Sequence, residues 1–175
     1  MKNMGITGVA FGIVLFLSPL SYSDTPVQPA KAILHDVNGK EVGKVVLTEE
    51  PEGVGIEISV SHLPPGVHGF HIHDVGQCDP PDFMSAGPHF NPHGKKHGIK
   101  NPEGPHGGDL LNLEVASDGS GSLLLIKRHI TLGPGDNSLF HAGGTAFIIH
   151  ADPDDNVTDP SGNAGARIAC GVIEK

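Results

Sequence analysis

Along much of the chain, apolar and polar residues alternate with a period of two. From Gly55 to Ser61, Ile56, Ile58 and Val60 alternate with Glu57, Ser59 and Ser61, the signature of a strand with one buried and one wet face. Ala32–Val37 and Val42–Thr48 flank Asn38-Gly39, a strong hairpin turn. Leu110–Val115 and Gly121–Ile126 flank Asp118-Gly119 in the same way. Gly66–His73 reads as a fourth strand, and Ala146–His150 and Cys170–Ile173 supply the last two. No stretch holds a 3.6-residue apolar period. Eight short strands in one domain predict an all-β fold, an eight-stranded Greek-key β-sandwich or flattened barrel.

Two segments exceed what such a fold needs. Asp74–Gly108 is a long loop holding His89, His93, His97 and His106, and Ala151–Gly165 is a shorter loop rich in acids. Unstructured connections longer than about 15 residues are usually functional or disordered. The first is full of metal-ligand side chains, so a functional loop is expected.

The N-terminus is excluded from the fold. Lys2, the short apolar run Ile6–Leu17 broken by small residues, and Ser21-Tyr22-Ser23 read as an export signal cleaved before Asp24. The run is short for a membrane span; an uncleaved anchor is the alternative to a cleaved signal. The expected division is a signal peptide over 1–23 and one domain over 24–175, with no membrane attachment after cleavage. A destination outside the cytoplasm follows. In an exported chain the two cysteines, Cys78 and Cys170, read as one disulfide. Two buried free thiols, or a cysteine metal site, are the alternatives, although no CxxC is present. A bridge between them closes a loop of about 90 residues, worth about 4–5 kcal/mol in the chain-entropy model. The 20 acidic against 11 basic residues give a net charge of −9, which argues against nucleic acid as a partner. With 5% aromatics and no Trp, the core must rest on Val, Ile and Leu.

The 12 histidines concentrate the chemistry. His71 and His73 are two apart on a predicted strand, so both side chains leave the same face and can serve one ion. His68 is out of register with them and is expected to face the sandwich as a hydrogen-bonded structural histidine. His150 ends a late strand and can complete the His71/His73 site; all-imidazole ligation without thiolate suits redox-cycling copper. His97, His106 and Asp109, joined by His89, make a closed tetrahedral set for zinc. Histidines packed without any metal remain the plainer alternative from spacing alone.

Five motifs extend this reading: Gly69-Phe70-His71-Ile72-His73, Ser85-Ala86-Gly87-Pro88-His89-Phe90-Asn91-Pro92, Lys96-His97-Gly98, His106-Gly107-Gly108-Asp109-Leu110 and Gly162–Ile173. In this order they resemble the copper/zinc superoxide dismutases, a family with the sandwich architecture. The resemblance covers nearly the whole domain. It implies copper on His71, His73, His89 and His150, and zinc on His89, His97, His106 and Asp109, with His89 bridging both. It also implies a linking carboxylate at Asp154, an arginine beside the copper at Arg167, and the disulfide Cys78–Cys170. The implied reaction converts superoxide to dioxygen and hydrogen peroxide, with His89 and Arg167 as its catalytic residues.

The chain departs from the cytosolic animal enzymes in places. The stretch from Cys78 to His89 is longer and resembles the bacterial exported branch. The loop Ala151–Gly165 has no lysine to guide an anion; Lys95, Lys96 and Lys100 could replace that field or be plain solvated charges. A homodimer is compatible with the resemblance, but the contacts that build the family's dimers vary between branches. His35, His62, His93, His129 and His141 match no ligand position and read as surface or structural, with His93 the first exception to look for. Two other readings compete with an enzyme: a protein that buffers copper or zinc on the same fold, and a degenerate member. A degenerate member should lack a copper ligand, the bridge or the arginine, and none is missing.

Overall fold

The structure, a computed structural model, describes Met1 and residues 27–175; apart from Met1, the signal peptide expected over 1–23 lies outside the described residues. Among the described residues, nine antiparallel strands form one sheet: β1 (Ala30–Asp36), β2 (Glu41–Glu50), β3 (Gly53–Val60), β4 (Gly66–His68), β5 (Phe70–His73), β6 (Leu113–Val115), β7 (Gly121–Lys127), β8 (Ala146–His150) and β9 (Arg167–Val172). Their order across the sheet is β4-β6-β7-β3-β2-β1-β9-β8-β5. The two end strands are consecutive in the chain and separated by Gly69 alone. The ribbon is therefore rolled on itself into a nearly closed barrel. The β7–β3 and β1–β9 neighbours are crossovers that a simple meander lacks.

The eight expected strands become nine because the expected fourth strand, Gly66–His73, divides at Gly69. β4 pairs with β6 and β5 pairs with β8. At the division, Gly69 N donates to Asp152 O at 2.8 Å and Gly69 O accepts from His150 N at 2.8 Å, so a loop and a different strand take over its pairing. The last strand also begins earlier than Cys170, at Arg167.

Core and site share one alternation on β5. Phe70 and Ile72 point into the barrel, where Phe70 stacks on Phe147 with ring centroids 5.1 Å apart. His71 and His73 leave the opposite face and are buried under the loops. A one-residue slip would send both histidines into the core, so burial of Phe70 and Ile72 fixes which face carries the ligands. All of β8 is buried because both its faces are covered. Phe147 and Ile149 meet the barrel core. Ala146 and Ile148 meet a second apolar cluster with Phe83, Ala86 and Cys170, under the loop that the disulfide pins.

A third long connection, residues 128–145, stands out less in the sequence than the other two. Its Ile130, Leu132 and Leu139 enter the barrel core, and Glu49 accepts from Thr131 Oγ1 at 2.7 Å and from Leu132 N at 2.6 Å.

Candidate metal centre

The loop between β5 and β6 adds itself to the free edge of β5. Ile72 N donates to Gly108 O at 2.9 Å, and Phe90 N donates to Ile72 O at 2.9 Å. These contacts set His73 opposite His89 and His71 opposite Asp109. Each of those loop residues is followed by a core anchor, Phe90 and Leu110, both nearly fully buried. An apolar side chain entering the core thus aims its polar neighbour at the site. Gly108 must be glycine, because a Cβ there would lie 2.1 Å from Ile72 O. On the other edge, a bulge after Ile149 brings His150 opposite Arg167, the kind of irregularity that re-aims a side chain.

Two donor groups result: His71, His73, His89 and His150, and His89, His97, His106 and Asp109. His89 belongs to both. All these residues are buried. Among the described residues, the buried side-chain atoms without a hydrogen-bond partner include His71 Nδ1, His73 Nε2, His89 Nε2 and His150 Nε2. Four buried imidazole nitrogens without partners, within 4.8 Å of one another, would be costly on their own and fit a bound cation.

The outer partners decide which nitrogen is free. Asp154 accepts from His71 Nε2–H at 2.8 Å and from His97 Nε2–H at 3.0 Å, leaving Nδ1 of both as the donor atoms. His73 Nδ1–H donates to Gly87 O at 2.9 Å, and His150 Nδ1–H donates to Gly165 O at 3.2 Å. Their Nε2 atoms are left to bind. In the second group, Asp109 Oδ2 accepts from the backbone of Gly98 (2.8 Å) and His106 (2.9 Å). Its Oδ1 faces Nδ1 of His89 (3.0 Å), His97 (3.0 Å) and His106 (3.2 Å). Three nitrogens and one oxygen in mutual contact fit a tetrahedral ion. A third grouping, His71, His97 and Asp154, is the carboxylate link between the two sets, since its nitrogens are the ones that carry protons.

Charge follows the same plan. Burial lowers the pKa of His73, takes His89 down to about 4 and takes His150 down to about 3, so all three are neutral imidazoles near neutral pH. For His97, burial also acts downward, but hydrogen bonds to Asp109 and Asp154 overcome it and raise the pKa to about 9. Burial would raise Asp109 and Asp154, yet hydrogen bonds from the surrounding imidazoles hold both well below the usual carboxylate range.

Arg167 donates through Nη1 to Phe83 O and through Nη2 to Gly87 O, both at 2.7 Å. Gly87 O therefore holds both the arginine and His73. Cys78 and Cys170 are joined in a disulfide, which ties the loop carrying Phe83 and Gly87 to β9. His68 is the structural histidine expected, with Nδ1 on His150 O (2.8 Å) and Nε2 on Pro64 O (2.9 Å). His35, His62, His93 and His129 are exposed and outside both donor groups. His141 stacks on Phe90, centroids 5.7 Å apart. Lys95, Lys96 and Lys100 are exposed, and Lys96 pairs with Asp159 at 3.1 Å.

Sequence reasoning missed the carbonyls of Gly87 and Gly165, and it missed Asn112, which exchanges two hydrogen bonds with the backbone of Asp154 at 2.9 and 3.0 Å. It also missed Lys127, whose Nζ reaches the carbonyls of His106 and Asp109. Backbone acceptors leave no mark in a sequence, and Asn112 and Lys127 sit outside every motif.

A nearly closed antiparallel barrel with two histidine donor sets sharing one imidazole defines a class: β-barrel proteins with a paired metal centre. The copper/zinc superoxide dismutase (SODC) family matches residues 41–173. Copper-zinc superoxide dismutase 2 of Aquifex aeolicus (strain VF5) is 46% identical over 170 residues, 96% of this chain and 98% of that one. The copper-zinc superoxide dismutase of Caulobacter vibrioides is 40% identical over 148 residues, 83% of this chain and 85% of that one. The crystal structure of a SOD-like protein from Bacillus subtilis superposes with a TM-score of 0.78 at 45% identity, covering 81% of this chain and 96% of that one. The chain belongs to the copper/zinc superoxide dismutase family. Membership brings that family's oxidoreductase activity on superoxide and its two metals, copper and zinc.

Proposed function

We propose that this chain dismutates superoxide, two anions and two protons giving dioxygen and hydrogen peroxide, with copper held by His71 Nδ1, His73 Nε2, His89 Nε2 and His150 Nε2 and zinc held by Nδ1 of His89, His97 and His106 with Asp109 Oδ1. The observation that carries the ligand assignment is the set of four buried, unpartnered nitrogens, each left free by a partner on the other ring nitrogen or, for His89, by the second donor set. When bound there, copper would supply the redox chemistry, accepting the electron that one superoxide gives up and passing it to the next. His89 Nε2, whose one lone pair can hold either copper or a proton, would take a proton in the half of the cycle in which it lets go of reduced copper and give it up in the other. Its Nδ1 stays committed to the Asp109 side, so the ring keeps its place while the proton moves. Arg167, clamped by two carbonyls on the β9 side of His150, offers a fixed cation to a small anion. Asp154 holds the proton on Nε2 of His71 and His97 and so orients one ligand of each metal.

The disulfide and the leader-like N-terminus support a working place outside the cytoplasm, in the periplasm or secreted. The domain is then residues 24–175, and a homodimer is compatible with the reading. The test is dismutation by the purified protein with copper and zinc quantified on the same sample. About one of each per chain is expected, with activity lost on copper removal and restored on its return. Full metal loading without dismutation would overturn the enzyme reading in favour of a metal buffer.

A further inference from the structure

Lys127 ends β7. Two and four positions before it, Leu125 and Leu123 pack against the barrel core. Strand periodicity therefore aims Lys127 inward, where a lysine needs polar partners. Its Nζ donates to Asp109 O at 2.8 Å and to His106 O at 3.1 Å. These two carbonyls bracket the Gly107-Gly108 turn, and both residues offer a donor atom to the proposed zinc set. The other side of that turn is held by β5 and Phe90: Gly108 O accepts from Ile72 N at 2.9 Å, and Gly108 N donates to Phe90 O at 2.7 Å. The turn is thus supported by the free edge of β5, by the Phe90 backbone and by one side chain from β7.

We propose that Lys127 is a positioning residue for the His89, His97, His106 and Asp109 set: its ammonium ties the backbone of His106 and Asp109 to the barrel, so two of the four donors are in place before the ion arrives. This rests on the zinc assignment above. Charge and positioning make opposite predictions. A positive charge beside a cation site opposes the cation, so removing it should tighten zinc if charge were all that mattered. If the ammonium organises the ligands, removing it should loosen zinc.

The experiment strips metal from the full-length mature protein and measures zinc affinity by chelator competition, zinc release rate, and the ligand-field absorption of Co2+ titrated into the same site. The parent, Lys127→Met, Lys127→Arg and Asp109→Ala are compared, with the metal-free melting temperature of each. Outer-shell losses at metal sites cost about 10- to 100-fold in affinity. Lys127→Met is expected to lose zinc affinity in that range, release zinc faster and weaken the tetrahedral Co2+ band, with copper affinity unchanged. Lys127→Arg, which keeps the donors, should recover most of the loss. Zinc affinity in Lys127→Met equal to or tighter than the parent's would overturn the inference while leaving the ligand set intact. An unchanged zinc affinity in Asp109→Ala would instead overturn the ligand set, and the inference with it.

Discussion

Removing Asp154 should weaken both metals at once, although the residue is proposed to touch neither. Its buried carboxylate accepts from His71 Nε2–H at 2.8 Å, from His97 Nε2–H at 3.0 Å and from the Asn156 amide at 2.6 Å. Hydrogen bonds to a charged group contribute about 1.5–3 kcal/mol each. Asp154→Ala removes one such bond from a ligand of each set, so each metal should lose about 1.5–3 kcal/mol, about 10- to 100-fold in affinity. Asp154→Asn separates the two effects. An amide keeps one acceptor oxygen but turns an N–H toward the other histidine. That histidine must then give up its Nε2 proton and carry one on Nδ1, the atom a metal needs. The asparagine variant should therefore damage one metal site far more than the other. Gly162→Ala should reproduce the alanine phenotype from outside the donor sets, because a Cβ at Gly162 would fall 1.8 Å from Asp154 Oδ1. The assay is chelator competition for copper and zinc separately on metal-stripped protein. Copper and zinc affinities in Asp154→Ala both within about threefold of the parent would refute the reasoning.

Two further outcomes follow from the same geometry. In the metal-free protein His97 donates through both ring nitrogens to carboxylates and its pKa is raised to about 9 from 6.5. Zinc must displace the Nδ1 proton, so binding at pH 7 should release about one proton per ion into a weakly buffered indicator solution, and zinc affinity should climb with pH until about 9. The same raised pKa stabilises the metal-free fold fully below pH 6.5 and is lost as pH rises through about 9, so metal-free melting temperature should fall across that window; a flat profile with no proton release would disprove the doubly hydrogen-bonded state. The Cys78–Cys170 bridge closes a loop with a sequence separation of 92, worth about 4–5 kcal/mol in the chain-entropy model. Its reduction should lower the melting temperature by about 10–20 °C and cut activity more than metal content, since the loop carrying the Arg167 acceptors Phe83 O and Gly87 O is released; an unchanged activity per bound copper would show that Arg167 holds its place without the bridge.

The fold was legible where alternation was uninterrupted. Ile56, Ile58 and Val60 announced β3, and the Asn38-Gly39 turn announced the β1–β2 hairpin, where Gly39 adopts φ 79° and Asp36 Oδ1 accepts from the amides of Asn38 and Lys40. The split at Gly69 was not legible. Gly66–His73 continues as one run by pattern, and only the loop residue Asp152, far along the chain, takes the Gly69 amide and ends the β4 pairing. β8 shows the same limit from the other side. Its five buried residues show no alternation, because the cover on its outer face, Phe83 and Ala86, comes from a loop whose path depends on the disulfide.

The histidines and the aspartate that the fold gathers were legible because metal chemistry draws on few residue types, but which atom each presents was not. Histidine can present either nitrogen, and the choice is made by an acceptor on the far side of the ring. For His73 and His150 that acceptor is a glycine carbonyl, from Gly87 and from Gly165, which any residue could in principle supply. What the sequence does carry is the reason these carbonyls can come so close. Gly87 has φ 72° and Gly165 φ 77°, conformations that other residues adopt only under strain. The glycines of Gly87-Pro88-His89 and Gly165-Ala166-Arg167 thus act on the metal centre through backbone shape: each turns a carbonyl onto a ring nitrogen and leaves the opposite nitrogen free to bind. Replacing either glycine should leave all seven donor residues unchanged and still disturb which atom His73 or His150 offers.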